Sequence, residues 1–545
     1  MKQRLLLISV ALMLSAVSWL MPLAGVRSAI VQQAHGVELI SHHAVGGVML
    51  ADIWVHGSFV YLGTRDAGAG VKIVDVSNPT NPQLIATLVT NSSSSYEDVV
   101  AIEVNTADFR GTLLAAGLQP LGAGGVRGVQ FWDVTNPRRA QQLGFLSTGA
   151  MSSGVHELSL FQRGGRVFAL LAVPGSEAAG AGGDFRIVEA TDPRRPRQVA
   201  DWGVQAGLGL PLGGNVFCHS AAPSPDGRIA YLSYWDAGFI LLDISDPASP
   251  RYLGRTLYAP NEEGNAHSVW PANGGALLLA ADEDFSPGGI QLEITEPLPL
   301  ASLISAAEGS LGPQLCGLNP LSGALAYVGR GCDGDMLLSS PSGRIALIDR
   351  GTCTFRDKIL RAQQAGAIAA LIVNNVPGSP IAPGGDSTGI TIPSAMISLE
   401  DGNRLKAALA SGQAVRATLR GDPNATWGFL RIFDISDPTR PQQISSFATP
   451  NTRRCPPPDS GWYTIHNPFV IGRTAYVSWY SDGVRVLDIA DPTTPREIGF
   501  FVPPDRTDGR GPQGGKSLVW GVYAQNELIF ISDINTGLYI LRLRS

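Results

Sequence analysis

The chain has 545 residues, 44% of them hydrophobic, with 64 glycines and 38 prolines. It is too long for one small domain and apolar enough for a packed core, and its sparse charge with abundant Gly and Pro fits a turn-rich β protein. With 40 Lys and Arg against 46 Asp and Glu, the net charge is −6, and an acidic chain without a basic stripe is excluded as a nucleic-acid binder.

Met1–Arg4 (MKQR) is followed by LLLISVALMLSAVSWLMPLAG and then VRSA. A basic start, an apolar core and small residues near Ser28 and Ala29 predict a secretory signal over residues 1–29. The apolar run is also long enough for an uncleaved anchor, which is the one route to a membrane. The expected location is secreted, cell-surface or periplasmic. Five cysteines follow, Cys218, Cys316, Cys332, Cys353 and Cys455. An exported chain can oxidise them, and an odd count leaves one over.

One phrase then recurs along the chain and ends at an Asp-Pro or Asn-Pro corner. It reads VKIVDVSNPTNP at Val71–Pro82, VQFWDVTNP at Val129–Pro137 and FRIVEATDPRRP at Phe185–Pro196. It returns as FILLDISDPASP at Phe239–Pro250, LRIFDISDPTRP at Leu430–Pro441 and VRVLDIADPTTP at Val484–Pro495, with a worn copy at Leu538–Leu543. Each unit holds four strand-like segments separated by Gly, Pro and Asp turns. Asx-Pro favours turn initiation, and the second Pro confines the following strand to a sheet edge. Such units must stack on their neighbours. The terminal copy lacks its outer strand, and His35–Ala44 (HGVELISHHA) supplies it from the other end of the chain. A ring closed in this way removes two open edges. The fold class is therefore mainly β: a seven-bladed β-propeller with an α/β insertion in blade five.

That insertion separates AHSVWPANGGALLLAADEDF from FLRIFDIS. Within it, GRIALIDRGTCTFRDKILRAQQAGAIAALIVNN at Gly343–Asn375 reads as strand, helix, strand, with helical spacing over Arg356–Gln364. Ser398 and Asp401 are placed to cap a second helix. The domain boundaries expected are 35–295 and 422–545 for the propeller and 296–421 for the insertion.

The [IVL]-x-D-[IV]-[ST]-[DN]-P phrase resembles the LVIVD-repeat family of exported β-propellers, a resemblance that implies fold and export and no agreed activity. Blade three departs from it at Glu189-Ala190. IALIDRGTCTF, the AQQAGA helix end, VNN and IPSAMIS resemble a protease-associated (PA) domain. That resemblance implies a disulfide between Cys332 and Cys353, and a role in protein interaction or substrate gating with no catalytic residues of its own.

Four histidines fall at one repeat position, the entry to the first strand: His156, His219, His267 and His466. Blade two has Glu97-Asp98 there, blade one Asp52 and blade seven Trp520. First strands line the centre of a propeller, so His156, His219, His267, His466 and Glu97 are the candidate metal ligands, imidazole and carboxylate suiting a transition metal. Asp282, Glu283 and Asp284 precede the insertion, on the same expected face. The structural alternative is a hydrogen-bonded triad inside each blade: His219, Ser233 and Asp236 in blade four; His466, Ser478 and Asp482 in blade six. No HExxH, GxSxG or GxxxxGK[ST] occurs, and the DEDFSPGG run lacks the EF-hand order for calcium.

No catalytic residue and no required cofactor are predicted; a transition metal at the ring, or calcium, is the alternative. The leading expectation is an exported, non-enzymatic interaction scaffold, a monomer with protein, peptide or carbohydrate partners and no nucleic acid. The rivals are a metal-dependent enzyme of oxidoreductase type and a cell-surface adhesin.

Overall fold

The computed structural model describes residues 33–212, 216–258, 264–285, 289–385, 387–422, 426–455, 458 and 460–544. The expected signal segment lies outside the described residues. No helix among them is long and apolar enough to cross a membrane.

Seven antiparallel blades form, each built on four strands. Their inner strands are Leu50–His56, Val99–Asn105, Leu158–Arg163, Cys218–Pro223, Ala266–Ala272, Pro468–Ile471 and Val519–Gln525. Each touches the inner strand of the next blade, and the seventh touches the first. The ring is closed as a propeller. Val37–His43 pairs antiparallel with Leu538–Leu543 and becomes the outer strand of blade seven. Gln33–His35 adds a fifth strand to blade six by pairing with Phe500–Val502.

The recurring phrase is the third strand of a blade plus its corner, and local hydrogen bonds explain its spelling. Asp75 Oδ1 accepts from the Ser77 N–H, Asp243 from Ser245, Asp434 from Ser436 and Asp488 from Ala490. The Asx before proline repeats the motif: Asn78 accepts from the Thr80 N–H, Asp246 from Ala248, Asp437 from Thr439 and Asp491 from Thr493. Two Asx turns in tandem swing the chain to the edge strand. Each phrase also carries a register shift against that strand at the same place, such as Ile73/Val74 and Val486/Leu487. In blade three Glu189 stands where the aspartate does elsewhere, and its pair with Arg197 repeats those of Asp243 with Arg251 and Asp488 with Arg496. Glu189 also accepts from the Thr191 hydroxyl at 3.1 Å and pairs with Arg166 at 2.8 Å.

The core lies between blades. Phe168, Leu170 and Phe185 of blade three pack on Cys218, Leu232 and Ile240 of blade four. Phe530, Leu538 and Ile540 of blade seven pack on Val60, Leu62 and Val74 of blade one. Face-to-face burial of this kind makes each blade depend on two neighbours.

The insertion leaves blade five after Leu277–Asp282 and the chain returns at Leu430–Asp434, which pairs with that strand. Its own eight-stranded sheet runs between Ile290 and Gly421, so it begins ahead of residue 296. Leu321–Gly329, Ile345–Asp349, Ala369–Val373 and Ser394–Ile397 are parallel, and the last three are buried almost throughout. Helices Phe355–Gln364 and Leu399–Ala410 begin at Thr354 and Ser398, whose hydroxyls accept from the Asp357 and Asp401 N–H groups.

Cys332 and Cys353 are bridged, and so are Cys316 and Cys455, leaving Cys218 as a buried free thiol. The second bridge joins the insertion to the loop between blades five and six. Disulfides of this kind persist in oxidising compartments, consistent with an extracellular or secretory-pathway protein.

Candidate functional site

Each blade places a side chain at the centre from the start of its inner strand, and in blades four to seven a bulge aims it. Cys218 pairs with Tyr234 and Ser220 with Ser233, so His219 is the extra residue. His267 is extra between Ala266 and Ser268, and Trp520 between Val519 and Gly521. His466 N–H donates to Ser478 O while the Ser478 N–H donates to Asn467 O, so two residues again face one. Bulges re-aim side chains in this way beside functional sites.

The result is a continuous belt. His156 Nε2 lies 2.8 Å from His219 Nε2. The His219 and His267 rings are 4.0 Å apart, and the His267 and His466 rings 4.3 Å apart. His466 meets the Trp520 ring at 4.1 Å. Trp520 Nε1 donates to Asp52 Oδ2 at 3.2 Å, and the Asp52 N–H donates to Glu97 O. Glu97 Oε2 closes the circuit 3.2 Å from His156 Nδ1, with Arg65 at 2.7 Å on its other oxygen.

The sequence placed these positions together, and the structure connects them differently from the triads expected. His219 Nδ1 bonds the carbonyl of His267, in the next blade, at 3.1 Å. Ser233 accepts from the Ser220 hydroxyl. His466 Nδ1 bonds the Trp520 carbonyl at 2.7 Å, and Ser478 donates to that same oxygen. Asp482 accepts from Thr449 and, at 2.8 Å, from Asn451, and it pairs with Arg485 at 3.3 Å. Asp236 sits in the tight turn after the second strand of blade four. The bonds of both histidine rings run between blades because the bulge turns each ring away from its own sheet.

Two carboxylates complete the belt. Glu157, the residue after His156, lies 3.6 Å from His219 Nδ1 and 4.0 Å from His267 Nε2. Glu283 Oε2 lies 3.6 Å from His267 Nε2, and its Oε1 accepts from Tyr480 Oη at 2.6 Å. Two overlapping sets could each hold a cation: Glu157, His219 and His267; and His267, Glu283 and His466. Glu157, Glu283 and Tyr480 were not among the ligand candidates. Their signal was position alone, next to a belt histidine or at the exit to the insertion. Glu97 faces His156, and it belongs to neither set.

Burial dominates the electrostatics. It holds His219, His267 and His466 well below the usual imidazole range, helped by their neighbouring histidines. It raises Glu157 well above the carboxylate range, with Asp52, Asp98 and Glu97 adding repulsion. It pushes Glu283 up to about 8, against the Tyr480 hydrogen bond. Burial would raise Glu97 too, but the charges of His156 and Arg65 outweigh it and hold it low. Neutral imidazoles beside carboxyls that resist ionisation form a belt that a cation could organise.

The insertion contributes a separate cavity of about 390 Å³ lined by Arg350, Gly351, Thr354, Phe355, Arg356 and Gly384. Arg350 donates to Asn374 Oδ1 at 2.7 Å.

The protein is thus a seven-bladed propeller interrupted by an α/β domain. The chain carries a PA domain over residues 320–405 and LVIVD repeats over 49–90, 226–257 and 425–449. It is 40% identical over 83 residues to "Leucine aminopeptidase 2" of Trichophyton equinum, covering 15% of this chain and 17% of that protein. It is 32% identical over 145 residues to "Vacuolar-sorting receptor 1" of Pisum sativum, covering 24% and 23%. The chain therefore spans less than a quarter of either relative. Among solved structures it is similar to the aminopeptidase from Aneurinibacillus sp. strain AM-1, at 23% identity and a TM-score of 0.21, over 29% of this chain and 34% of that one.

Proposed function

We propose that this is an exported, non-enzymatic interaction protein whose PA domain takes acidic peptide segments of a protein partner, with the propeller as its support. The observation that carries this reading is the Cys316–Cys455 bridge, which ties the insertion covalently to the propeller. The PA cavity is lined by Arg350 and Arg356 beside Phe355, with Arg350 held on Asn374 Oδ1 and Arg356 on the Thr388 carbonyl. Guanidinium groups bind carboxylates in forked geometry, and an aromatic wall shelters an apolar neighbour. The similarity to a sorting receptor fits a role in binding. The similarity to aminopeptidases fits a domain that works beside peptides.

A peptide array probed with the purified protein tests this. Acidic peptides should be enriched, and an Arg350→Ala, Arg356→Ala double variant should lose the enrichment. Binding unchanged in that variant removes the PA cavity from the reading. Hydrolysis of a leucine anilide by the purified protein would sink its non-enzymatic part.

A second reading is a metal-dependent enzyme, of oxidoreductase type, at the histidine belt. It is favoured by the two sets of His and Glu donors. An adhesin that takes carbohydrate is the third, and a glycan array separates it from the first.

A further inference from the structure

We propose that His267 Nε2, His466 Nε2 and Glu283 Oε2 hold one divalent first-row transition-metal ion at the propeller centre. This site is independent of the PA cavity and goes beyond the interaction reading.

Donor geometry fits this set as it fits its neighbour, and the state of the ring nitrogens separates the two. One donor atom from each of the three residues lies within 4.8 Å of the others. Ligands around a tetrahedral zinc ion, at about 2.0–2.1 Å from it, lie roughly 3.3 Å apart. His267 Nε2 and Glu283 Oε2 are already at 3.6 Å, so closing the site asks for side-chain shifts of about an ångström.

Tautomers give the second argument. A carbonyl oxygen only accepts, so His466 Nδ1, 2.7 Å from Trp520 O, carries the proton. A neutral His466 then turns a bare lone pair on Nε2 into the belt. That atom is buried and has no hydrogen-bond partner, in a residue 0% exposed. Unpaired buried polar atoms are costly and call for an explanation; a metal ion supplies one. In the competing set, His219 Nδ1 donates to the His267 carbonyl at 3.1 Å, and the lone pair this leaves on Nε2 is already engaged by His156 Nε2 at 2.8 Å.

The supports are those that metal sites use. The Trp520 carbonyl orients His466, and Tyr480 Oη occupies Glu283 Oε1 at 2.6 Å, leaving Oε2 to face His267. Hydrogen bonds on the far side of the ligands fix their direction and basicity. Two imidazoles and one carboxylate suit zinc and its first-row neighbours, while an all-oxygen set would suit calcium.

The test uses the purified full chain, stripped with a chelator and reloaded with Zn²⁺ or Co²⁺. One equivalent of Zn²⁺ should survive gel filtration and raise the melting temperature. Glu283→Gln and His466→Gln should each weaken Zn²⁺ binding about tenfold or more, while His42→Gln, on the outer strand of blade seven, should leave it unchanged. Substoichiometric zinc with no melting shift in the parent overturns the proposal, and so does equal binding by parent and variants. Circular dichroism checks that the variants fold. Should they not, Co²⁺ in the parent decides: a low-coordinate nitrogen–oxygen spectrum supports the site, and the spectrum of hydrated Co²⁺ rejects it.

Discussion

Asn467 Nδ2 donates to Asp52 Oδ1 at 2.8 Å, a contact between residues 415 positions apart. It bridges blade six to blade one beside Trp520 of blade seven, whose indole holds the other Asp52 oxygen. The ring is thus tied at its centre as well as at its rim, where Val37–His43 pairs with Leu538–Leu543. Deleting residues 33–43 should expose the edge of blade seven, lower the melting temperature sharply and promote association through the open edge. Calorimetry and size-exclusion chromatography read both effects. A melting profile unchanged by the deletion would remove rim closure as a source of stability.

Blade five is split by the insertion, and a buried ion pair reinforces the strand pairing between its halves. Arg431 Nη2 lies 2.6 Å from Asp282 Oδ2, with both side chains 5% exposed. Asp282 also accepts from the Asn265 N–H at 2.7 Å. Breaking a buried pair leaves an uncompensated charge and typically costs about 3–5 kcal/mol. Arg431→Leu should lose stability of that order in denaturant titration. A loss below about 1 kcal/mol, the level of a surface pair, would show that other contacts register the halves.

The Cys316–Cys455 bridge spans 139 residues. Disulfides are typically worth about 2–4 kcal/mol, with long loops toward the upper end. A Cys316→Ser, Cys455→Ser variant should melt lower and be cleaved faster between propeller and PA domain. Equal proteolysis rates in variant and parent would argue that the two modules hold together without it. Cys218 is buried, and burial pushes its thiol well up, so it should resist alkylation in the native protein.

Glu308 gives a pH signature inside the insertion. Burial pushes its carboxyl up to about 7, although the Leu315 N–H donates to Oε1 at 2.5 Å. The folded state therefore binds the proton more tightly than the unfolded chain does. Its contribution is fully present below the unfolded value of 4.5 and is lost as pH rises through about 7. The swing is on the order of 3 kcal/mol at most. Glu308→Gln should remove this component from the pH profile of stability. An identical slope between pH 5 and 8 in variant and parent would contradict the assignment.

The purely local features were open to reading. The third-strand phrase repeats because two Asx turns and a proline must recur at each corner, and those bonds span two residues, as at Asp243 and Asp246. The helix caps at Thr354 and Ser398 reach three residues, to Asp357 and Asp401. The position of the four histidines was readable for the same reason, since repeat register fixes which residue begins an inner strand.

What those histidines touch was not readable. Bulges at His219, His267 and Trp520 turn the side chains off their own sheets, and the bonds expected inside blades four and six run instead to His267 O and Trp520 O. Glu283 reaches the belt only because the insertion leaves blade five there, and Cys316 meets Cys455 only once the domain has folded beside the sixth blade. The sequence alone determined the repeating unit, its corners and the inserted domain, because their energetics are local. Ring closure was legible too, in the outer strand missing from the last copy and supplied by residues 35–44, whereas the pairing of donors and the second disulfide were decided by tertiary structure, because distant chain segments meet only when seven blades close into one ring.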